Sequence, residues 1–276
     1  MSRLRVNSSS FEERYGEKSK ALLELARTLP ERPSPAAIHD LRVTARRIQV
    51  MFRLLPMQAR SSESAMMFAL VLKSILKTTS QLRDLDTLMQ TVEPYRSELP
   101  LEFFLSLENE RSDSAARAKA AMEVLTDAPL SDLDTSEIRG KRLSRRLRKR
   151  VRKHGRRAAE LLGDVLGDES KVKDVHALRI EVKKLRYLLE LERKSPPELP
   201  VMAKWQDSLG AIHDLDVAMD YIQRNRLDFT RDSVIRELRG RRHSSYVKFV
   251  SEFGIDSTAA LGSSKVLASG LPSRPL

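Results

Sequence analysis

Two segments of the sequence place imidazole, guanidinium and ammonium groups at the same spacing. The segment IHDLRVTARRIQVMFRLL spans residues 38–55, and VHALRIEVKKLRYLLELE spans residues 175–192. Each has a His, an Arg three positions later, and a basic pair at the seventh and eighth positions after the His. These residues are His39, Arg42, Arg46 and Arg47, and then His176, Arg179, Lys183 and Lys184. Arginine offers phosphate oxygens a planar fork of donors, and lysine offers a mobile charge. The pattern therefore favours binding of a phosphate-rich anion.

A second matched pair of segments follows the first pair in the same order. QLRDLDTLMQ at 81–90 aligns with AIHDLDVAMD at 211–220, so that Arg83 falls on His213. The two alignments have offsets of 137 and 130, which indicates that a half-chain has been duplicated. The simplest resulting architecture is two similar four-helix bundles packed by a pseudo-twofold. The aspartates of these segments either orient nearby Arg and Lys side chains or form ordinary helix-face ion pairs; they are Asp84, Asp86, Asp214 and Asp216.

The elements that carry these groups are predicted to be helices, so the fold class is all-α. Apolar residues recur at three and four positions between proline-containing breaks, and strand-like alternation is absent. A capping box of Ser10 and Glu13 is expected in the first helix, and Ser34 is expected to cap the second before Pro35. Eight helices are predicted, over about 10–29, 35–56, 62–92, 98–126, 137–166, 171–194, 198–226 and 229–253.

The domain organisation follows from these helices and from the linker composition of TDAPLSDLDTS at 126–136. We predict an N-terminal helical half over 1–130 and a C-terminal helical half over 137–254. The last segment, 255–276, has no periodicity and is predicted to be a disordered tail.

Two stripes run along each of the duplicated helices, about 100° apart on the helical wheel. Apolar stripes are formed by Ile38, Leu41, Ala45, Ile48, Phe52 and Leu55, and by Val175, Leu178, Val182, Leu185 and Leu189. Basic stripes are formed by His39, Arg42, Arg46, Gln49 and Arg53, and by His176, Arg179, Lys183 and Arg186. A solvated face would lie opposite the apolar stripe, whereas these basic stripes lie beside it. We therefore expect them to line a groove or a cleft between bundles.

The net charge of +12 is concentrated in one further helix. Residues 139–157 hold twelve Lys or Arg and no acidic residue, and the rest of the chain has 38 basic and 38 acidic residues. Such a concentrated positive field implies an anionic partner, which could be nucleic acid, anionic lipid or a phosphate polymer. The alternative is that this segment is only the solvated basic face of a helix. The flank expected to join the site carries Lys141, Arg145, Arg148, Arg152 and Arg156.

Several classes of protein are excluded by composition. The 276 residues include no cysteine, so there is no disulfide scaffold and no thiolate metal site. The first residues have no apolar signal segment, and no stretch approaches the roughly 20 apolar residues of a membrane helix. We therefore expect a soluble cytoplasmic protein that does not bind membranes, uses no cofactor and has no metal site.

The duplicated His-x-x-Arg motif with its basic pair, followed one helix later by (Arg/His)-Asp-Leu-Asp, resembles the CHAD family, the conserved histidine α-helical domain. The resemblance covers about residues 10–253. It implies two four-helix bundles about a pseudo-twofold, a basic central cavity, and binding of inorganic polyphosphate, also at polyphosphate granules. The residues that match are His39, Arg42, Arg46, Arg47, Arg83, His176, Arg179, Lys183, Lys184, Arg186 and Lys204. The sequence departs from the family pattern at two positions. His213 stands where the second half of the family often has a neutral polar residue, and Asp40 has no acidic counterpart because Ala177 occupies the equivalent position.

Physical reasoning favours the same ligand, because a linear polyanion suits donors that repeat every helical turn. We therefore predict polyphosphate binding without catalysis, with His213, Arg53, Arg145, Arg148 and Arg152 as further binding residues. Phosphate should favour protonated imidazole, so affinity should rise as the pH falls from about 8 to about 6.

Two alternatives remain open. A nucleic-acid-binding protein would use the basic helix at 137–166, although the chain offers few aromatic residues for stacking. A metal-dependent phosphohydrolase would use the dipeptides His39-Asp40 and His213-Asp214, but adjacent helical residues point about 100° apart and do not chelate alone.

Overall fold

The computed structural model describes residues 7–126, 140–192, 196, 198–225 and 231–263, and these residues contain no β-strand. The predicted all-α fold class is confirmed. The helices of the described residues are α1 (Ser8–Arg27), α2 (Pro35–Leu54), α3 (Met57–Arg60), α4 (Glu63–Val92), α5 (Leu101–Thr126), α6 (Gly140–Gly167), α7 (Val172–Leu189), α8 (Glu198–Arg224) and α9 (Arg231–Ser263), with a 3₁₀ turn at Glu93–Tyr95.

The eight predicted helices correspond to α1, α2 and α4–α9, whereas α3 and the 3₁₀ turn lie in connections. Helix α2 starts as predicted, since Ser34 Oγ accepts a hydrogen bond from the Ala37 amide at 3.2 Å and Pro35 follows the cap. The capping box predicted for α1 is wrong. That helix begins at Ser8 after Asn7, so Ser10 already lies within its first turn.

Helix α9 runs further than predicted. It continues to Ser263, so residues 255–263 of the predicted disordered tail are helical. The alanines and the leucine of this segment are strong helix formers, and their propensity acts without any apolar periodicity. The prediction for residues 264–276 falls outside the described residues.

The chain divides into two compact units, Val6–Leu143 and Ser144–Leu276. In the first unit α4 packs on α2 and α5, and α1 packs on the same two helices. In the second unit α8 packs on α7 and α9. Side-chain contacts join α6 to its neighbours, since His154 of α6 pairs with Glu181 of α7 and the hydroxyl of Tyr246 in α9 donates to the Val165 carbonyl. The pseudo-twofold and the shared central cleft stay predictions.

Both apolar stripes are buried in the cores of their units. All six apolar positions of the first stripe and all five of the second are less than one tenth exposed. Burial of these stripes fixes the rotation of α2 and α7 about their axes. The neighbouring basic stripes are thereby brought to the flanks of α2 and α7, beside the helices on which they pack.

Candidate functional site

In the first unit the central arginine of the basic stripe is anchored on α4. Arg42 Nη1 donates to the Leu76 carbonyl oxygen at 3.2 Å and to Thr79 Oγ1 at 3.1 Å. Its Nη2 donates to Ser80 Oγ at 3.4 Å. These contacts hold the half-buried guanidinium at the junction of α2 and α4, so its orientation is set before any ligand arrives.

The other predicted residues of the first unit range from exposed to half-buried. His39 and Arg53 are exposed, at the two ends of the basic stripe of α2. Arg47 and Arg83 are half-buried. Arg46 Nη1 donates to Gln49 Oε1 at 3.1 Å, a contact within α2.

In the second unit two imidazoles meet across α7 and α8. His176 Nδ1 lies 3.2 Å from His213 Nδ1, and the two ring centroids are 4.6 Å apart. In this hydrogen bond one Nδ1 donates and the other accepts, and the tautomers of the two rings decide which. Arg179 and Lys183 of α7 are close enough for their charges to act on His213. We call these four residues the α7–α8 basic cluster.

His213 is held neutral in the absence of an anion. Burial, followed by the charges of Arg179, His176 and Lys183, lowers the pKa of His213 to about 3. His213 therefore does not titrate between pH 8 and 6 in the unliganded protein. The pH dependence predicted for that range therefore does not rest on His213 in the unliganded protein, and it stays a prediction.

Arg179 and its equivalent, Arg42, meet different neighbours. The offset of 130 places Leu209 and Gly210 where the first unit has Thr79 and Ser80. Both hydroxyl acceptors of the first unit are thus lost. Within the described residues the buried Nε of Arg179 has no hydrogen-bond partner. Buried donors are nearly always paired in native proteins, so this guanidinium is suited to an external acceptor.

Lys184 is separated from the α7–α8 basic cluster. Its Nζ donates to Glu181 Oε1 at 2.6 Å, and the other carboxylate oxygen of Glu181 lies 2.6 Å from His154 Nδ1 of α6. Burial raises the pKa of Glu181, but the hydrogen bonds and charges of Lys184 and His154 outweigh it and lower that pKa overall. Lys184 and half-buried His154 therefore serve the contact between α6 and α7.

Arg186 continues the basic stripe of α7 but is held within that helix. Its Nε lies 3.5 Å from Glu190 Oε1, and its guanidinium carbon is 5.3 Å from the ring centroid of Tyr187. Tyr187 itself is buried, so the aromatic residue closest to the motif does not offer a face on which a base could stack.

Helix α6 presents its cations to solvent. Leu143, Leu147 and Val151 of this helix are buried. The described cations of this helix are exposed or half-buried, so burial does not distinguish the flank expected to join the site from the other flank. The exposed cations of α6 are Lys141, Arg142, Arg145, Arg148, Lys149, Arg152, Lys153, Arg156 and Arg157. Lys204 on α8 is exposed as well.

Sequence reasoning missed a half-buried arginine in the first unit. Arg111 of α5 donates from Nε to Asp86 Oδ1 of α4 at 2.7 Å. It donates from Nη2 to the Pro33 carbonyl oxygen, just before α2, at 2.7 Å. Asp86 therefore orients an arginine, which is one of the two roles predicted for the aspartates of the repeated segments. Arg111, however, is not part of the basic stripe of α2.

The second unit repeats this arrangement. Arg242 of α9 donates from Nε to Asp216 Oδ1 of α8 at 2.5 Å and from Nη2 to the Glu169 carbonyl oxygen, just before α7, at 2.9 Å. We call each such arginine with its two acceptors an arginine clamp. Burial raises the pKa of Asp216, although the hydrogen bond and charge of Arg242 and the charge of His176 oppose that rise. No local sequence signal marks these arginines, because their partners are far away in the chain.

The described residues contain no group of three or more His, Asp and Glu side chains placed to hold a metal ion. In the described part of the chain, no helix is both long and apolar enough to cross a membrane.

Comparison with known proteins gives two findings. The sequence model of the CHAD domain matches residues 16–223 of this chain. The fold is similar to the crystal structure of the CHAD domain from the plant Ricinus communis, with a TM-score of 0.55 and 17% sequence identity. That likeness covers 100% of this chain and 94% of the plant domain. Among curated proteins, none matches the sequence.

Proposed function

The chain belongs to the CHAD domain family, and from this premise we propose that it binds inorganic polyphosphate along its basic helices without cleaving it. The basic stripes of α2 and α7 supply the binding groups. The proposal covers a cytoplasmic protein that reaches polyphosphate granules through this binding.

The observation that carries the proposal is the α7–α8 basic cluster. Three cationic or imidazole side chains of α7 gather beside His213, and the buried Arg179 Nε has no acceptor within the described residues. Clustered positive charges repel one another, and attraction to a bound anion offsets this repulsion. A phosphate oxygen supplies both the missing acceptor and the compensating charge.

The first unit supports the same function in a different way. Arg42 is already oriented by α4, so it loses little side-chain entropy on binding. The two units thus offer one arginine that is oriented in advance and one that still needs an acceptor.

The proposal is tested by calorimetric titration with polyphosphate of defined lengths. We expect the double variant Arg42→Gln with Arg179→Gln to bind about a hundredfold more weakly, because it loses two charge-assisted contacts of roughly tenfold each. The matched control is Arg150→Gln with Arg157→Gln on α6, which removes the same charge and should weaken binding only a few-fold. Equal losses in the two variants would show a diffuse charge effect and contradict the proposed site.

The same preparation tests whether polyphosphate is cleaved. Phosphate release is measured with and without magnesium or manganese. We expect none above the protein-free control, whereas metal-dependent release would favour the phosphohydrolase alternative.

A second candidate function, binding of nucleic acid, is favoured only by the exposed cations of α6. Phosphate contacts alone give sequence-independent, salt-sensitive binding to a duplex. Competition in moderate salt separates the two functions. Long polyphosphate should displace duplex DNA or RNA, and the reverse displacement would favour nucleic acid.

A further inference from the structure

We propose that the two arginine clamps position the polyphosphate-binding stripes, an inference that rests on the function proposed above. Arg111 and Arg242 are cations of the same chemistry as the binding residues, but their guanidinium groups face protein acceptors. Each clamp joins three parts of one unit. These are the last helix of the bundle, the helix that packs on the basic helix, and the backbone that leads into that basic helix.

The clamp acceptors lie close in sequence to the binding residues. Asp86 is three residues after Arg83 on α4, and Asp216 is three residues after His213 on α8, which is one helical turn in each case. The carbonyl acceptors belong to the residues just before α2 and α7, one to two turns ahead of the stripe histidines. The clamps therefore set the position of the first turns of α2 and α7 relative to α4 and α8.

The repetition of the clamp argues that it serves what the two halves share. The carboxylates are 130 residues apart, the arginines 131 and the carbonyl groups 136. These separations are close to those of the duplicated motifs, although the sequences around the arginines, NERSD and GRRHS, have little else in common.

Arginine is the residue that this geometry requires. A guanidinium donates from separate nitrogens in fixed directions, so it can hold a carboxylate and a carbonyl at once. Lysine carries the same charge on one nitrogen and cannot reproduce both directions. The side chains of Arg242 and Asp216 are only 9% and 12% exposed, so the pair is shielded from solvent ions.

The second clamp also reaches the binding residues directly. The charge of His176 acts on the Asp216 carboxylate, which Arg242 holds in place. Displacing this carboxylate changes the environment of the α7–α8 basic cluster as well as the position of α7.

The test compares Arg242→Lys with Arg239→Lys, an exposed arginine three residues earlier on α9. Both variants keep the charge of the chain. We expect Arg242→Lys to raise the Kd for polyphosphate about tenfold, because the stripe of α7 is then no longer held in position before binding, and Arg239→Lys to leave it unchanged. Ile235→Val, in the core of the same helix, is the control for lost stability and should bind as the parent protein does.

The outcomes separate this inference from the proposed function. If Arg242→Lys binds like the parent, or if Ile235→Val with a similar fall in Tm binds as weakly, the clamp is only structural and the inference is wrong. If the parent protein itself does not bind polyphosphate, the proposed function fails. Amide hydrogen exchange in the first two turns of α7 then still tests whether the clamp holds α7 in position. Of these variants, only Arg242→Lys should make that exchange faster. Should Arg242→Lys fail to fold, Asp216→Asn, which keeps the shape and one acceptor, replaces it in the same comparisons.

Discussion

Arg42 and Arg179 occupy equivalent positions in the duplicated sequence and yet have different local chemistry. Arg42 donates to Thr79 and Ser80, whereas Leu209 and Gly210 stand at the equivalent positions beside Arg179. The His-x-x-Arg motif alone therefore predicts which helix face is basic. It does not predict which arginine is satisfied within the protein, because that depends on residues of the neighbouring helix.

Gly210→Ser should give Arg179 the acceptor that Ser80 gives Arg42. A Cβ at position 210 would lie 3.9 Å from Arg179 Nε, an ordinary van der Waals contact, so the substitution fits. Serine replaces glycine within a helix, which should add about 0.5 kcal/mol to the free energy of unfolding. The affinity for polyphosphate should fall roughly threefold to tenfold, because the new hydroxyl lies beside Nε, the donor that we assign to phosphate. Thr79 and Ser80 instead accept from Nη1 and Nη2 of Arg42.

Gly210→Ala is the matched control for this substitution. It brings the helix-propensity gain without an acceptor, so it should be stabilised in urea unfolding and bind as the parent does. Equal affinities for the serine and alanine variants would contradict the role assigned to Arg179.

At the scale of the elements, periodicity predicted the long helices and the buried faces of α2 and α7. It did not predict the N-terminal end of α1, where the backbone begins the helix at Ser8 without a side-chain cap. The clamp arginines were also missed, since Arg111 lies 25 residues from Asp86 and 78 from Pro33 along the chain. Long-range contacts of this kind depend on how the helices pack, which hydrophobic periodicity along one helix does not encode.

The contact between α6 and α7 gives a prediction for pH. Glu181 has a lowered pKa in the folded protein because Lys184 and His154 outweigh the effect of burial. Its stabilising contribution is therefore present above the unfolded carboxyl pKa of about 4.3 and is lost as the pH falls through the lower folded value. Glu181→Gln should reduce the free energy of unfolding by about 1–3 kcal/mol at pH 7, and the difference should shrink towards pH 3.

Urea unfolding followed by circular dichroism at both pH values measures this difference. The control is Glu160→Gln, which removes an exposed carboxylate on α6 that pairs with Arg157 at 3.2 Å. Its effect should stay below about 0.5 kcal/mol at either pH. An equal effect of the two substitutions at pH 7 would show that the α6–α7 contact does not depend on Glu181.

At the scale of the whole molecule, the excess positive charge and the groups proposed to orient the ligand lie on different helices. The charge excess belongs to 139–157, and most of its cations are exposed on α6. The stripe residues of α2 and α7 are instead half-buried for the most part. Exposed charge mainly speeds the encounter with an oppositely charged ligand, whereas short oriented contacts mainly slow its release.

This division predicts different kinetic effects for two sets of substitutions. Replacing Arg145, Arg148 and Arg152 with Gln should lower the association rate constant for polyphosphate about tenfold at low salt and change the dissociation rate constant less than threefold. Replacing Arg42 and Arg179 with Gln should mainly raise the dissociation rate constant. Stopped-flow measurements at 0.01 M and 1 M salt distinguish the two sets of substitutions. The Debye length falls to about 3 Å at 1 M salt, which should remove the effect of the α6 substitutions on the association rate constant. The effect of the stripe substitutions on the dissociation rate constant should remain. An α6 effect that persists at 1 M salt would instead mean that these arginines contact the bound ligand directly.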